Sequence, residues 1–128
     1  VVNTTLAAPD AHARNYAVLL HGDSVRLAPL YDLATSLAYS RAPRSARALS
    51  MSVSGTFDAR EVTADHWLRF GSEHDLDGQS LVDFSRLVAQ VAPEAAGRAL
   101  DELDDDGDGQ VDAVRTHLLP ALDRLSGA

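Results

Sequence analysis

The sequence predicts an α+β chain that is mostly helical, and three patterns carry that expectation. From residue 63 onward apolar side chains recur at helical spacing. They run through Trp67, Leu68 and Phe70, then Leu81, Phe84, Leu87, Val88 and Val91, then Val111, Val114, Leu118, Leu122 and Leu125. Before that, residues 16–20 and 25–27 are short β-type runs joined by His21-Gly22-Asp23-Ser24, which supplies turn chemistry. Between the two regions, Leu49, Met51 and Val53 alternate with Ser50, Ser52 and Ser54, the period-two signature of a half-buried strand.

Taken in order, residues 1–8 read as the tail of a helix that Pro9 and Asp10 break. The hairpin over 16–27 follows, then the punctuation of Pro29, then one helical turn over 33–37. Residues 38–47 read as a loop, and Gly55 ends the strand that begins near Leu49. Thr63 or Asp65 caps the helix of Trp67 and Phe70. Ser80 with Asp83 resembles a capping box opening the next helix. Pro93 is expected to stop that helix and to sit in the first turn of another reaching about Leu103. Pro120 is expected to kink the last one. No internal repeat and no inter-domain linker is visible.

The 128 residues fit one domain or a piece of one, and 45% hydrophobic content is enough for a core. The absence of cysteine excludes a disulfide scaffold and any cysteine-ligated metal or cluster. No apolar run approaches the roughly 18 residues of a membrane helix, and the start lacks the basic flank and apolar stretch of a signal peptide. No membrane association and a cytoplasmic setting are therefore expected. All 11 basic residues are arginine, and the net charge is −8. Residues 1–60 carry six arginines and four acids, whereas residues 61–128 carry five arginines and fifteen acids. Such an acidic half repels phosphates, so direct nucleic-acid binding by this segment is not expected. The one basic cluster, Arg41, Arg44 and Arg47, reads as a solvated loop or, alternatively, as an anion contact.

The first 32 residues hold the chemistry. Asp10-Ala-His-Ala-Arg-Asn15 sets a carboxylate and a carboxamide five residues apart, and a second carboxylate, Asp32, follows the hairpin. Phosphoryl transfer from a nucleotide needs such parts: one Asp for the proton of the attacking hydroxyl, and an Asn with a second Asp to hold Mg²⁺ through oxygen. A hairpin returns the chain to nearly where it left, so residues far apart in sequence can face one metal. Taken alone, the Asp-x-His-x-x-Asn run would also fit a turn held by side-chain hydrogen bonds.

Asp10-Ala-His-Ala-Arg-Asn-Tyr, then Arg-Leu-Ala-Pro-Leu-Tyr-Asp32, then Leu49-Ser-Met-Ser-Val, resemble the C-terminal region of HipA-type serine/threonine kinases, the toxins of bacterial toxin–antitoxin pairs. The likeness covers residues 3–55 well, and residues 56–128 agree in being helical. It implies the C-lobe portion of a protein-kinase-like fold, with a short β-hairpin carrying the metal-binding Asp. It implies Asp10 as the catalytic residue and Asn15 and Asp32 as ligands of the Mg²⁺ of ATP. His12 and Arg14 would support the loop or the phosphates, with Arg14 standing where lysine is usual. It also implies a protein substrate such as a translation enzyme, and a small DNA-binding antitoxin as partner. The Gly-rich loop and phosphate-pairing lysine of a kinase are not within residues 1–128, so the segment is expected to lack the upstream nucleotide-binding lobe. As an alternative, such a segment would be a non-catalytic, kinase-like interaction module.

Residues 104–112 resemble a calcium loop. Asp104, Asp106 and Asp108 take its first, third and fifth positions, Gly109 the sixth and Asp112 the ninth, but Arg115 stands where the bidentate Glu belongs. The plainer reading is a solvated acidic turn whose charge favours the N-terminus of the last helix. A weak calcium site and a small calcium-responsive helical module are the alternative. His66 and His74 read as surface or packing residues and Tyr31 as core.

Overall fold

A computed structural model describes residues 1–39, 48–103 and 109–126. The Arg41, Arg44 and Arg47 cluster lies outside the described residues, as do Asp104, Asp106 and Asp108 of the acidic loop. The chain opens with a single helical turn, α1 (Val2–Thr5), shorter than the predicted tail. Ala7, at φ 49°, ends it in a left-handed conformation and turns the chain into an irregular loop.

The first hairpin pairs β1 (Val18–His21) with β2 (Ser24–Leu27), antiparallel, with Val18 opposite Leu27 and His21 opposite Ser24. Of the two linking residues only Gly22 has positive φ, at +57°, which is the type II′ pattern that suits strand twist. Alternation puts Val18, Leu20, Val25 and Leu27 on one face, and all four are exposed. A second hairpin pairs β3 (Ala48–Val53) with β4 (Thr56–Asp58). Gly55 therefore does not end the sheet. Ser54 and Gly55, at φ 43° and 85°, form a tight turn with both central residues left-handed, as type I′ requires, and a three-residue strand follows.

Three helices build the rest: α2 (Ala64–Glu73), α3 (Gly78–Glu102) and α4 (Gln110–Ser126). Thr63 caps α2 in a reciprocal box with His66, whose Nδ1 lies 3.2 Å from the Thr63 backbone nitrogen and accepts its proton. His74 stacks on Phe70 with ring centroids 4.3 Å apart. α3 starts differently from the expectation. Asp77 is its cap, accepting from the Gln79 backbone N–H at 3.1 Å and from Ser80 Oγ at 2.6 Å, while Asp83 accepts from the Gln79 side chain. Ser80 is thus a donor within the first turn. Pro93 does not stop the helix: α3 runs unbroken for 25 residues, and α4 likewise continues through Pro120. A proline deletes one backbone donor and crowds the preceding turn, a cost of about 3 kcal/mol that tertiary packing can exceed. α3 packs along both α2 and α4, and Arg115 Nη2 to Asp101 Oδ1, at 2.9 Å, ties α4 back to α3.

The core lies where β3, α2 and α3 meet. Val53, Trp67 and Val82 are buried together, with Val1, Val62, Ala64, Phe70 and Leu81 packed around them. Trp67 meets Phe70 edge-on, with ring centroids 6.1 Å apart. On α3 the buried residues are Val82, Val88, Ala89 and Leu100, whereas Phe84, Leu87 and Val91 are about half exposed, at 46%, 51% and 50%. The predicted apolar face is thus split, because α3 is gripped from two directions and leaves a third open. No helix among the described residues is long and apolar enough to cross a membrane.

The α2–α3 corner depends on two glycines. A Cβ on Gly71 would lie 2.6 Å from the Gly78 Cα, and one on Gly78 would lie 2.8 Å from the Leu68 Cα, backbone against backbone in both cases. Gly97, in mid-α3, meets nothing within 4 Å. Gly71→Ala and Gly78→Ala should each destabilise the fold by about 1–3 kcal/mol. Gly97→Ala should stabilise it by roughly 0.5–1 kcal/mol, so thermal denaturation should shift in opposite directions. The α3 cap has its own pH signature. Chiefly the Ser80 hydroxyl, with the backbone N–H groups of Ser80 and Gln79, holds the Asp77 carboxyl below the ordinary aspartate value. A depressed native pKa gives stability that is complete above the unfolded value and is lost as pH falls through the native one. Asp77→Asn keeps an amide cap but removes this titration. The stability gap between wild type and Asp77→Asn should therefore be constant at neutral pH and close in the acid range below the usual aspartate pKa, followed by circular dichroism.

Candidate functional site

Residues 6–15 have almost no regular structure, so their backbone carbonyls need partners from elsewhere. The chain supplies them with side chains. Leu6 O accepts from Thr35 Oγ1, and Ala7 O accepts from both the Ser36 backbone N–H and Ser36 Oγ, each at 3.0 Å. Pro9 O accepts from Ser50 Oγ on β3. Asp10 O accepts from the His12 backbone N–H at 2.9 Å and from Asn15 Nδ2 at 2.7 Å. Arg14 O accepts from the Tyr31 hydroxyl at 3.1 Å.

Within this loop a 3-10 turn spans Ala13–Asn15, with Asn15 N–H donating to His12 O at 2.9 Å. Asp10 projects outward, its side chain 65% exposed, and His12 Nε2 stands 3.5 Å from its Oδ1. His12 Nδ1 is buried and without a partner among the described residues. Asn15 commits its amide nitrogen to the Asp10 carbonyl, which leaves its Oδ1, an oxygen acceptor, for another partner.

The first hairpin ends beside this loop. Ala28 N–H bonds Ala17 O at 2.8 Å, one residue beyond the last β1–β2 pair, and the Tyr31 hydroxyl bonds Arg14 O, which ties the residue before Asp32 to the loop. Asp32 is exposed, and its φ of 55° is a left-handed conformation that few residues other than glycine adopt and that Asp tolerates better than most.

The structure thus gathers Asp10, His12, Arg14 and Asn15 on one short loop and brings the segment of Asp32 alongside it. Tyr31 is not core: it is 48% exposed and acts through its hydroxyl. Ser36, Thr35 and Ser50, which hold the loop, went unnoticed in the sequence. A serine or threonine in a turn region carries no pattern that marks its distant acceptor. Two carboxylates and a carboxamide oxygen are hard, oxygen-only donors of the kind Mg²⁺ prefers. Among the described residues no three of His, Asp and Glu converge as a self-sufficient metal site, so a cation here would need further oxygens, such as those of phosphates. An apolar cleft of about 460 Å³ lies beside the loop, walled in part by Asn3, Ala8, Ala11, Tyr16, Met51 and Trp67, with none of the five candidate residues in its wall. Asp10, Arg14 and Asp32 are exposed, and His12 and Asn15 are half-buried.

Residues 1–104 match the family described as HipA-like C-terminal domain. A protein of Sinorhizobium fredii (strain NBRC 101917 / NGR234) named "Putative kinase Y4mE" is 27% identical over 115 residues, covering 90% of this chain and 26% of that protein. The fold is shared with HipA of Shewanella oneidensis MR-1, solved as a complex with HipB and operator DNA. The TM-score is 0.73 at 24% identity, over 98% of this chain and 29% of that one. The chain therefore spans about a quarter of the length of the curated relative it matches.

The buried clamp at the base of the loop can be tested separately from any chemistry. Ser36 is 5% exposed, and its hydroxyl is one of two donors on Ala7 O. Because the backbone donor stays, Ser36→Ala should cost about 1 kcal/mol and leave the fold intact, measurable by denaturant titration.

Proposed function

The chain belongs to the HipA-like C-terminal domain family, and on that premise we propose that it supplies the catalytic loop and metal-holding aspartate of an ATP-dependent protein serine/threonine kinase. The observation that supports the reading is the Tyr31 hydroxyl bond to Arg14 O, which ties the residue before Asp32 to the Asp10–Asn15 loop. There Asn15 commits its nitrogen to Asp10 O and its oxygen is left over.

In this reading Asp10 orients a serine or threonine hydroxyl of the substrate and takes its proton as the hydroxyl oxygen bonds to the γ-phosphorus. The bond from that phosphorus to the bridging oxygen breaks, and ADP leaves. Asn15, through Oδ1, and Asp32 hold Mg²⁺ on the nucleotide. When bound, the ion neutralises charge on the phosphates and aligns them. His12, 3.5 Å from Asp10, braces the carboxylate, and Arg14 adds positive charge on the same loop. Each of these roles is positioning or electrostatics, the two contributions on which phosphoryl transfer chiefly depends.

The partner in this reading is a small DNA-binding antitoxin, supported by the Shewanella HipA having been solved with HipB and operator DNA. Residues 61–128, with fifteen acids against five arginines, make direct contact of that half with DNA unfavourable, so DNA would be reached through the antitoxin.

In the full-length protein, Asp10→Ala and Asp32→Ala should each lower phosphate transfer from labelled ATP by about a hundredfold or more. Asp10→Ala should leave the thermal melting of the protein nearly unchanged, because its side chain is exposed, whereas Asp32→Ala puts alanine at a left-handed position and should cost roughly 1–2 kcal/mol. Transfer retained in Asp32→Ala would remove the metal role. Transfer retained in both would remove the roles assigned to these residues, and absence of transfer in the wild-type protein would favour a non-catalytic interaction module.

A further inference from the structure

We propose that Tyr31 is a positioning residue that sets Asp32 against Asn15, and so controls how tightly the site holds its cation; the inference rests on the kinase reading above. Three observations converge on it. First, the Tyr31 ring is about half exposed, so burial is not what fixes it; its hydroxyl, 3.1 Å from Arg14 O, is its specific contact. Second, the acceptor lies inside the Ala13–Asn15 turn, one residue from Asn15, while the donor is one residue from Asp32. A single hydrogen bond thus ties the neighbour of Asp32 to the neighbour of Asn15. Third, Asp32 has left-handed φ, a conformation that persists only where its neighbours hold it.

The holders on the far side of Asp32 are Thr35 and Ser36, bonded to Leu6 O and Ala7 O. They lie three and four residues away, and Leu33 and Ala34 between them have no regular structure. Tyr31 is therefore the near anchor. Without its hydroxyl, Asp32 can relax toward right-handed backbone while α1, the 3-10 turn and the hairpin stay in place. A change of that kind moves the Asp32 carboxylate relative to Asn15 Oδ1 and affects cation binding. Contacts that recognise the nucleotide without metal would not be affected.

The test is Tyr31→Phe in the full-length protein, a substitution that keeps the ring and removes only the donor. Affinity for a non-hydrolysable ATP analogue is measured by calorimetry with and without Mg²⁺. The expected result is a Mg²⁺-dependent gain in affinity roughly two- to tenfold smaller than in wild type, the range for loss of one hydrogen bond, with metal-free affinity and melting temperature unchanged. A Mg²⁺-dependent gain equal to that of wild type would overturn the proposal. So would equal losses with and without metal, which would mean that Tyr31 only supports the fold. A wild-type protein whose affinity for the analogue shows no Mg²⁺ dependence would overturn the kinase reading itself, and the role of Tyr31 with it.

Discussion

Unpaired backbone carbonyls govern this fold near its site. A loop that must expose Asp10 and Asn15 cannot also hide its peptide groups in a helix or a sheet, and each buried, unpaired carbonyl would cost on the order of 1–3 kcal/mol. The chain resolves this with donors borrowed from segments far along the sequence: Thr35 and Ser36 beyond the hairpin, Ser50 on the next strand, and Tyr31 beside Asp32. These bonds also decide what lies next to what. Ser36 and Thr35 seat the turn on which α4 packs, and Ser50 sets β3 beside Pro9. From β3 the contacts continue through Val53 to Trp67 and Val82, so the loop and the core are held by one continuous set of contacts.

The division of labour follows from electrostatics. Of the side chains with candidate chemical roles, Asp10, Arg14 and Asp32 are exposed and His12 and Asn15 half-buried. The apolar core and the glycine-mediated α2–α3 corner sit behind them and supply rigidity. Positioning of this kind costs little at the moment of reaction, because the reorganisation has been done by folding. The strongly acidic second half suits a surface that meets a protein better than one that meets nucleic acid.

Much of this was legible in the sequence, and the reasons differ element by element. The first hairpin was visible because its turn residues lie between two apolar runs. Its consequence, the segment before Asp32 returning to the Asp10–Asn15 loop, is seen in the Tyr31 hydroxyl bond to Arg14 O. The helical array was visible from its period. The second hairpin was half legible: the end of β3 at Ser54-Gly55 was visible, but the three residues of β4 are too few to show alternation. The continuity of α3 through Pro93 was hidden because proline's local penalty is plain in sequence while the packing that outweighs it is not. Period alone also placed Phe84, Leu87 and Val91 with Val88, although only Val88 is buried. Tyr31 read as core because a tyrosine among Leu, Ala and Pro suggests burial, and a hydroxyl's acceptor seventeen residues away leaves no local mark.

The central claim is that Asn15 and Asp32 face one cation across the end of the hairpin. A crystal structure of the full-length protein with a non-hydrolysable ATP analogue and Mn²⁺, with the metal located by anomalous scattering, tests it most directly. One peak is expected at coordination distance, about 2.0–2.2 Å, from both Asn15 Oδ1 and an Asp32 carboxylate oxygen, with nucleotide phosphates completing the shell. Manganese and nucleotide bound elsewhere, with Asn15 and Asp32 contacting neither, would contradict it.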